Sequence, residues 1–334
     1  MKIAVVGATG LVGGVMLKVL EERGFGGEEV IAAASPRSIG KELPFCGRTL
    51  KVMSVEDAIA AKPHYAIFSA GADASRQYAP LFAQAGTRVI DNSSAWRKDK
   101  GVPLVVPEIN MDSVGPHHMI IANPNCSTIQ MVLAISQLHK RYGIRRIVVS
   151  TYQSITGTGM KAIRQLEAEE QLAHDGKGME TPHPMAYPHP IHHNLFPHGG
   201  DFLDDGYTTE ERKLIDETHK ILRDDTIRVS PTVARVPVMG GHSESVNLEL
   251  ATEYDLAEAI DTIRNTRGVV VCDDPATNTY PTPLMAHHRD EVLVGRIRRD
   301  ISVDNGLNLW IVADNLRKGA ATNAVQILQE LVGR

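Results

Sequence analysis

A cysteine stands where a polar loop meets an apolar run. Asn123–Thr128 (Asn-Pro-Asn-Cys-Ser-Thr) precedes Ile129–Leu138, whose pattern predicts a helix. A thiol at a helix N-terminus lies beside the positive end of the macrodipole and beside unpaired N–H groups. Both favour the thiolate, the nucleophilic form of Cys126. A buried structural cysteine is the alternative, because cysteine is often buried. The polar neighbours favour the nucleophile.

A cysteine nucleophile needs an acid or base close in space. His242 follows a predicted strand, Ile227–Val238, on a glycine-rich turn, and Arg235 lies seven residues earlier in that strand. We expect the strand end to direct both side chains towards Cys126. A guanidinium binds carboxylate or phosphate through paired hydrogen bonds. The alternative is an ordinary structural or surface histidine, because the chain has 14 histidines.

A glycine-rich loop near the start of the chain is typical of dinucleotide binding. Gly7–Gly13 (Gly-Ala-Thr-Gly-Leu-Val-Gly) follows a predicted strand, Lys2–Val6, and opens a predicted helix, Val12–Arg23. Such glycines allow a tight turn and close approach of the backbone to a pyrophosphate at the helix N-terminus. The spacing is GxxGxxG rather than the commoner GxGxxG, so the strand–loop–helix context carries the prediction.

The end of the second predicted strand indicates which dinucleotide binds. NAD sites usually place a carboxylate there for the ribose 2′-hydroxyl. This chain has Ala34-Ser35-Pro36-Arg37-Ser38 instead. An arginine between hydroxyl groups suits a 2′-phosphate, so the segment favours NADP over NAD. The alternative is an ordinary polar turn.

The histidines between His183 and His198 invite a zinc or nickel interpretation. The prolines among them predict an extended loop, and no H-E-x-x-H or paired-cysteine spacing accompanies them. The sequence therefore predicts no metal site.

The elements that must position these residues divide the chain in two. Strands alternate with helices over residues 1–125, which predicts a Rossmann-type α/β domain with a doubly wound parallel sheet. After Cys126 strands dominate, which predicts a second, α+β domain with a mixed sheet over residues 126–315. The apolar pattern of Ala320–Val332 predicts a last helix, and we expect residues 316–334 to complete the first domain.

Composition excludes several classes of function. The 334 residues carry a net charge of −5 with acidic and basic residues interleaved, which disfavours nucleic acid and anionic membranes as partners. The three cysteines are widely spaced and form no disulfide framework. With no apolar run of membrane-spanning length and no signal-peptide pattern, the sequence predicts a cytoplasmic protein.

Nine segments, in one order along nearly the whole chain, together resemble the aspartate-β-semialdehyde dehydrogenase family. They are Gly7–Gly13, Phe68–Gly71, Asp91–Arg97, Val105–Glu108, Asn123–Cys126, Ser150–Gln153, Arg235–His242, Val294–Arg298 and Asp314–Gly319. The resemblance implies reversible, phosphate-dependent, NADP-linked conversion of L-aspartyl-4-phosphate to L-aspartate 4-semialdehyde through a cysteine thioester. It also implies a role in the biosynthesis of lysine, threonine, methionine and isoleucine, and a homodimer or higher oligomer whose interface belongs to the second domain.

The resemblance also implies a role for each matched residue. Cys126 would accept the acyl group and His242 would be the general acid and base. Substrate would contact Gln153, Glu210 and Arg235, with Arg235 on its α-carboxylate and Glu210 on its ammonium group. Phosphate would contact Arg97, Asn125 and Lys213. Cofactor contacts would come from Gly7, Thr9, Gly10, Leu11, Val12, Arg37, Ser38, Thr156, Gly157 and Asn315.

Independent chemistry supports part of this assignment, and two rivals stay open. Glu210 and Lys213 are three apart, so on a helix they share a face, although a solvated charged face has the same pattern. N-acetyl-γ-glutamyl-phosphate reductase would have the same thioester chemistry but no carboxylate for an ammonium group. A non-catalytic NADP-binding sensor is the second rival. Within Pro190–Asn194, two histidines replace an apolar pair of the family pattern, which leaves interface details open.

Overall fold

The computed structural model describes residues 1–177 and 185–333. Two compact units make up the chain: Met1–Asn125 with Gly319–Arg334, and Cys126–Lys318.

The first unit is built around a parallel sheet with strand order β2-β1-β5-β6-β7. Its elements up to the last strand are β1 (Lys2–Val6), α1 (Leu11–Glu22), β2 (Glu29–Ala33), β3 (Glu42–Phe45), β4 (Arg48–Lys51), α2 (Val55–Ala60), β5 (Tyr65–Phe68), α3 (Ala72–Gln84), β6 (Arg88–Asp91), α4 (Pro107–Asn110) and β7 (Ile120–Ala122). Ile3 and Val5 enter one apolar core, whereas Ala4 and Val6 enter another. Alternate side chains therefore bury both faces of the sheet, as a parallel sheet requires.

The second unit contains a six-stranded mixed sheet with strand order β11-β12-β13-β10-β8-β9. Its elements are α5 (Cys126–Tyr142), β8 (Ile144–Ser154), α6 (Met160–His174), α7 (Thr209–Leu222), β9 (Arg228–Val236), β10 (His242–Leu250), α8 (Leu256–Arg264), β11 (Val269–Val271), α9 (Pro283–Ala286), β12 (Val292–Asp300) and β13 (Gly306–Ala313). Helix α5 packs on β8, β10, β12 and β13 and also contacts α7 and α8. The helix that begins at Cys126 therefore lies on the sheet that carries the other predicted site residues.

The last helix, α10 (Thr322–Val332), belongs to the first unit. Ala324, Ile327 and Leu328 are fully buried in the core that also contains Ile3 and Val5. Their spacing places them on one face of the helix, which is why the periodicity was visible in the sequence.

The predicted fold class is confirmed: a parallel α/β sheet and a mixed sheet are both present. One local prediction is wrong. His242 does not sit on the glycine turn but is the first residue of β10. Its backbone is extended because it pairs with Ala313 of the neighbouring β13.

Candidate active site

Cys126 is the first residue of α5, a helix of 17 residues, and its side chain is partly exposed. The next residue, Ser127, is fully buried, and its hydroxyl accepts a hydrogen bond from Nε2 of Gln153 at 2.8 Å. Gln153 lies on β8 and is 1% exposed. The first turn of α5 is thus tied to the strand by the glutamine that the sequence assigned to substrate orientation.

His242 is fully buried. Its Nδ1 accepts a hydrogen bond from the backbone N–H of Ser154 at 3.0 Å, which leaves the proton of the neutral ring on Nε2. Nε2 has no hydrogen-bond partner within the described part of the chain. Burial, followed by the Arg235 cation, lowers the pKa of His242 from 6.5 to about 3, and the Glu210 carboxylate opposes the shift. At neutral pH the ring is therefore an uncharged donor at Nε2.

Arg235 lies on β9, next to β8 in the sheet, and is 7% exposed. Nη1 donates to the carbonyl of Ser154 at 2.8 Å, while buried Nε has no partner among residues 1–177 and 185–333. The guanidinium also lies over the Tyr187 ring, 6.0 Å from its centroid. A buried cation with an unused donor is suited to an anionic ligand.

Ser154 connects these groups, although no pattern in the sequence predicted a role for it. Besides its backbone contacts with His242 and Arg235, its hydroxyl accepts the N–H groups of Thr156 and Gly240, both at 3.1 Å. The same hydroxyl donates to the Val238 carbonyl at 2.7 Å. The signal available in the sequence was its position directly after Gln153, at the end of a strand.

Thr156, Gly157 and Asn315 meet beside His242. Thr156 Oγ1 donates to Asn315 Oδ1 at 3.0 Å, and that oxygen also accepts the N–H of Gly241 at 3.2 Å. A Cβ on Gly157 would lie 3.3 Å from Nε2 of His242. The three residues predicted to line the nicotinamide are therefore adjacent to the predicted acid and base, from segments far apart in sequence.

Glu210 and Lys213 share one face of α7, as their spacing predicted, and form an ion pair with Nζ 2.7 Å from Oε2. The N-terminus of α7 is held by a capping box between Thr208 and Glu211. Glu210 is 9% exposed, and its charge acts on His242. A buried carboxylate therefore lies close enough to His242 to affect its pKa, and its contact with a substrate ammonium group stays a prediction.

A second buried acid lies two residues after His242. Glu244 is fully buried, and burial raises its pKa well above the ordinary 4.5, with the Gln130 side chain opposing the rise. Nε2 of Gln130, one turn after Cys126 on α5, donates to the His242 carbonyl at 3.2 Å. Burial thus favours the uncharged form of the Glu244 carboxyl group.

In the first unit, the glycine loop has the shape a pyrophosphate needs. A Cβ on Gly13 would lie 2.1 Å from the Gly7 carbonyl oxygen, and one on Gly7, whose φ is +86°, would lie 2.5 Å from the Ser69 oxygen. Helix α1 then begins directly after Gly10. The loop therefore excludes side chains at these positions and presents backbone to a ligand at the helix N-terminus.

The segment that follows β2, Ala34–Ser38, lies next to this loop. Thr9 Oγ1 donates to Ser38 Oγ at 3.2 Å, and Arg37 is exposed beside it. A cavity of about 180 Å³ is lined by Gly7, Ala34, Ser35, Glu56 and Tyr78, among others. The glycine loop and the cavity beside it therefore fit part of a dinucleotide. Leu11 and Val12 form the start of α1 beneath the loop.

Arg97 and Asn125 of the first unit are both buried. The Arg97 guanidinium donates to the carbonyls of Asn92 and Asn123, each at 2.9 Å. It therefore ties together two of the segments that resemble the family. Its predicted contact with phosphate, and that of Asn125, stay predictions.

The histidine-rich segment falls partly outside the described residues, because His183 does. The remainder has no regular helix, as its prolines predicted. His192 and His193 stack on each other, with ring centroids 3.9 Å apart. Glu169 Oε2 accepts the N–H groups of Ile191 and His192, both at 2.8 Å.

No described helix is both long enough and apolar enough to cross a membrane.

Comparison with known proteins gives consistent matches. Residues 2–116 match the model of the semialdehyde dehydrogenase NAD-binding domain, and residues 135–318 match the semialdehyde dehydrogenase dimerisation domain. Aspartate-semialdehyde dehydrogenases of Aquifex aeolicus and Legionella pneumophila are 50% and 47% identical to the chain. The matches cover 99% of this chain in both cases, and 98% and 95% of the relatives. The crystal structure of aspartate semialdehyde dehydrogenase II from Vibrio cholerae, complexed with ASA, has a TM-score of 0.95 at 44% identity and covers 99% of this chain and 98% of that one.

Proposed function

Because the chain belongs to the aspartate-semialdehyde dehydrogenase family, we propose that Cys126 is the nucleophile that carries the acyl group as a thioester. The observation that carries this proposal is that Cys126 begins α5 while Gln153 of β8 donates a hydrogen bond to Ser127, the next residue of that helix. The N–H groups of a first helical turn stabilise a thiolate.

In the proposed reaction, Sγ attacks the carbonyl carbon of aspartyl-4-phosphate and the C=O electron pair moves to oxygen. N–H groups of the first turn of α5 are the donors for this oxyanion. As the carbonyl re-forms, the bond to the phosphate oxygen breaks and phosphate leaves with that electron pair. We assign phosphate to Lys213, Arg97 and Asn125.

The substrate is held by charge at both ends of its amino-acid portion. Buried Nε of Arg235 supports its assignment to the α-carboxylate, and Glu210 is assigned to the ammonium group. The ammonium then replaces Lys213 as partner of Glu210, which leaves Lys213 to act on phosphate. In this way Glu210 and Lys213, which pair with each other in the free protein, would bind the substrate ammonium group and phosphate respectively.

When bound, NADPH supplies the hydride that reduces the thioester carbon. Cleavage of the C–S bond then returns the electron pair to sulfur, which leaves as the thiolate and accepts a hydrogen bond from the Nε2–H of His242, the general acid. Arg235 contributes to the low pKa of this histidine. A substrate carboxylate on Arg235 offsets that charge, so substrate binding raises the His242 pKa and prepares it as the acid.

We assign the 2′-phosphate of NADP to Arg37 and Ser38, and the pyrophosphate to Gly7, Thr9, Gly10, Leu11 and Val12. Beside His242, we assign nicotinamide contacts to Thr156, Gly157 and Asn315. We also propose a homodimer, supported by the dimerisation-domain match. A reactive thiol needs a reducing compartment, which supports a cytoplasmic location. There the enzyme would serve lysine, threonine, methionine and isoleucine biosynthesis.

The deciding experiment follows NADP reduction by aspartate semialdehyde with and without phosphate. Wild type should be active only with phosphate, and Cys126→Ser should lose at least about 10³-fold because a serine hydroxyl remains protonated. Cys272→Ser is the matched control and should retain activity. Equal activity of wild type and Cys126→Ser would refute the assignment of the nucleophile.

A further inference from the structure

Two consecutive histidines approach a buried carboxylate in the second unit. His287 and His288 follow α9, and Asp314 follows β13. One ligand atom from each lies within 4.8 Å of the others. Within residues 1–177 and 185–333, this is the one group of three or more His, Cys, Asp or Glu side chains close enough to share a metal ion. The sequence predicts none here, because the histidines and the aspartate are far apart in the chain.

The distance between His287 and Asp314 fits a metal better than a hydrogen bond. Nδ1 of His287 lies 3.6 Å from Oδ2 of Asp314, longer than the roughly 2.7–3.2 Å of an N–H···O bond. Two ligands each about 2.0–2.2 Å from a tetrahedral zinc ion stand roughly 3.4 Å apart. Nδ1 is also closed to solvent and has no hydrogen-bond partner in the described chain. A cation between the two atoms would satisfy both.

Asp314 is held in place as a metal-binding carboxylate usually is. It is 2% exposed. Oδ1 accepts the N–H groups of Leu316 and Arg317 at 2.8 and 3.2 Å, and Oδ2 accepts the N–H of His288 at 2.8 Å. Backbone donors of this kind orient a ligating carboxylate, and they leave a further lone pair on Oδ2, the oxygen that faces His287.

The histidines are held by the backbone around them. A Cβ on Gly240 would lie 1.9 Å from Nδ1 of His287, so the imidazole rests directly on that glycine. His288 has a φ of +65°, a left-handed conformation that a side chain seldom adopts, and its ring lies 3.7 Å from that of His287. Nearby Arg317 is paired with Asp290 at 2.8 Å, which reduces the positive charge facing a cation.

We propose that His287, His288 and Asp314 form a binding site for a divalent transition metal of the zinc type. Two imidazoles and one carboxylate are a ligand set that zinc accepts, with water as the fourth ligand. His288 is exposed, so its imidazole would bind the ion on the side that faces solvent. Because His287 lies on Gly240 and Asp314 precedes Asn315, a bound ion would join the loop that leads to His242 to the end of β13.

The test titrates metal-depleted protein with Co²⁺ and records its visible d–d absorption, then displaces it with Zn²⁺. Wild type should bind one equivalent with the strong absorption of tetrahedral cobalt and should melt at a higher temperature with Zn²⁺. His287→Ala/His288→Ala should lose both responses. The matched control His192→Ala/His193→Ala removes another pair of adjacent histidines near a carboxylate, and it should keep both responses.

His288→Gly distinguishes metal binding from folding. Glycine tolerates the left-handed backbone, so without metal this variant should melt no lower than wild type while binding Co²⁺ at least about tenfold more weakly. Unchanged binding in His288→Gly or in the double variant would overturn the proposal, as would absence of saturable binding in wild type. A thiolate-to-cobalt charge-transfer band would place the ion on a cysteine and also overturn it.

Discussion

The buried neutral state of His242 predicts an unusual dependence of stability on pH. In the unfolded chain the ring titrates near 6.5, and in the folded protein near 3. Below pH 6.5 the unfolded state therefore binds a proton that the folded state does not. The contribution of His242 to the free energy of unfolding is therefore fully present above pH 6.5, and it is lost as the pH falls towards 3. At about 1.36 kcal/mol per pH unit, the total is about 5 kcal/mol.

The perturbation is His242→Asn, whose side-chain oxygen is able to accept the Ser154 N–H in place of Nδ1. The free energy of unfolding is measured by urea denaturation from pH 6.5 down to pH 4.5. Over this interval of two pH units, the free energy of unfolding of wild type should fall by up to about 3 kcal/mol relative to that of the variant. Parallel profiles would refute the reasoning, because they would mean that His242 titrates alike in both states.

Glu244 provides a control of opposite sign in the same strand. Its pKa is raised in the folded protein, so the folded state keeps a proton that the unfolded state loses above pH 4.5. Its contribution to stability is complete below that pH and falls as the pH rises. Glu244→Gln should therefore gain stability relative to wild type from pH 4.5 to 6.5, whereas His242→Asn loses it over the same interval. A Glu244→Gln profile parallel to wild type would show that the acid is solvated.

Three further predictions concern ligand binding and the polar network. Arg37→Ala should raise the Kd for NADP roughly 10–100-fold, the loss of about 1.5–3 kcal/mol from a charge-assisted contact, with little change for NAD; equal changes would contradict the 2′-phosphate assignment. Glu210→Gln should raise KM for aspartate semialdehyde by a similar factor and leave the Kd for NADP unchanged, and an unaltered KM would remove Glu210 from the substrate site. Ser154→Ala should lower the free energy of unfolding by about 2–4 kcal/mol, because buried N–H groups of Thr156 and Gly240 lose their acceptor. Ser150→Ala, in the same strand, is its control in denaturation, and an equal effect of the two would contradict a special role for Ser154.

The sequence by itself determined the two kinds of sheet, the helix that begins at Cys126 and the glycine loop. These features depend on local periodicity and on backbone freedom, which neighbouring residues specify. The shared face of Glu210 and Lys213 followed in the same way from the three-residue spacing on a helix. The role predicted for each site residue came from the resemblance of nine segments, in one order, to a known family, because no single motif specifies a substrate.

Only the tertiary structure decided which groups meet and what charge they carry. Ser154 contacts His242, Arg235, Thr156 and Gly240 because β8 lies between β9 and β10, a pairing that no local pattern reveals. The low pKa of His242 and the high pKa of Glu244 arise from burial, and burial depends on the helices that cover the sheet. The proposed metal site also depends on tertiary structure. Its ligands do not come from the histidine-rich segment between His183 and His198 that the sequence makes visible. Two adjacent histidines meet an aspartate brought from a distant strand end.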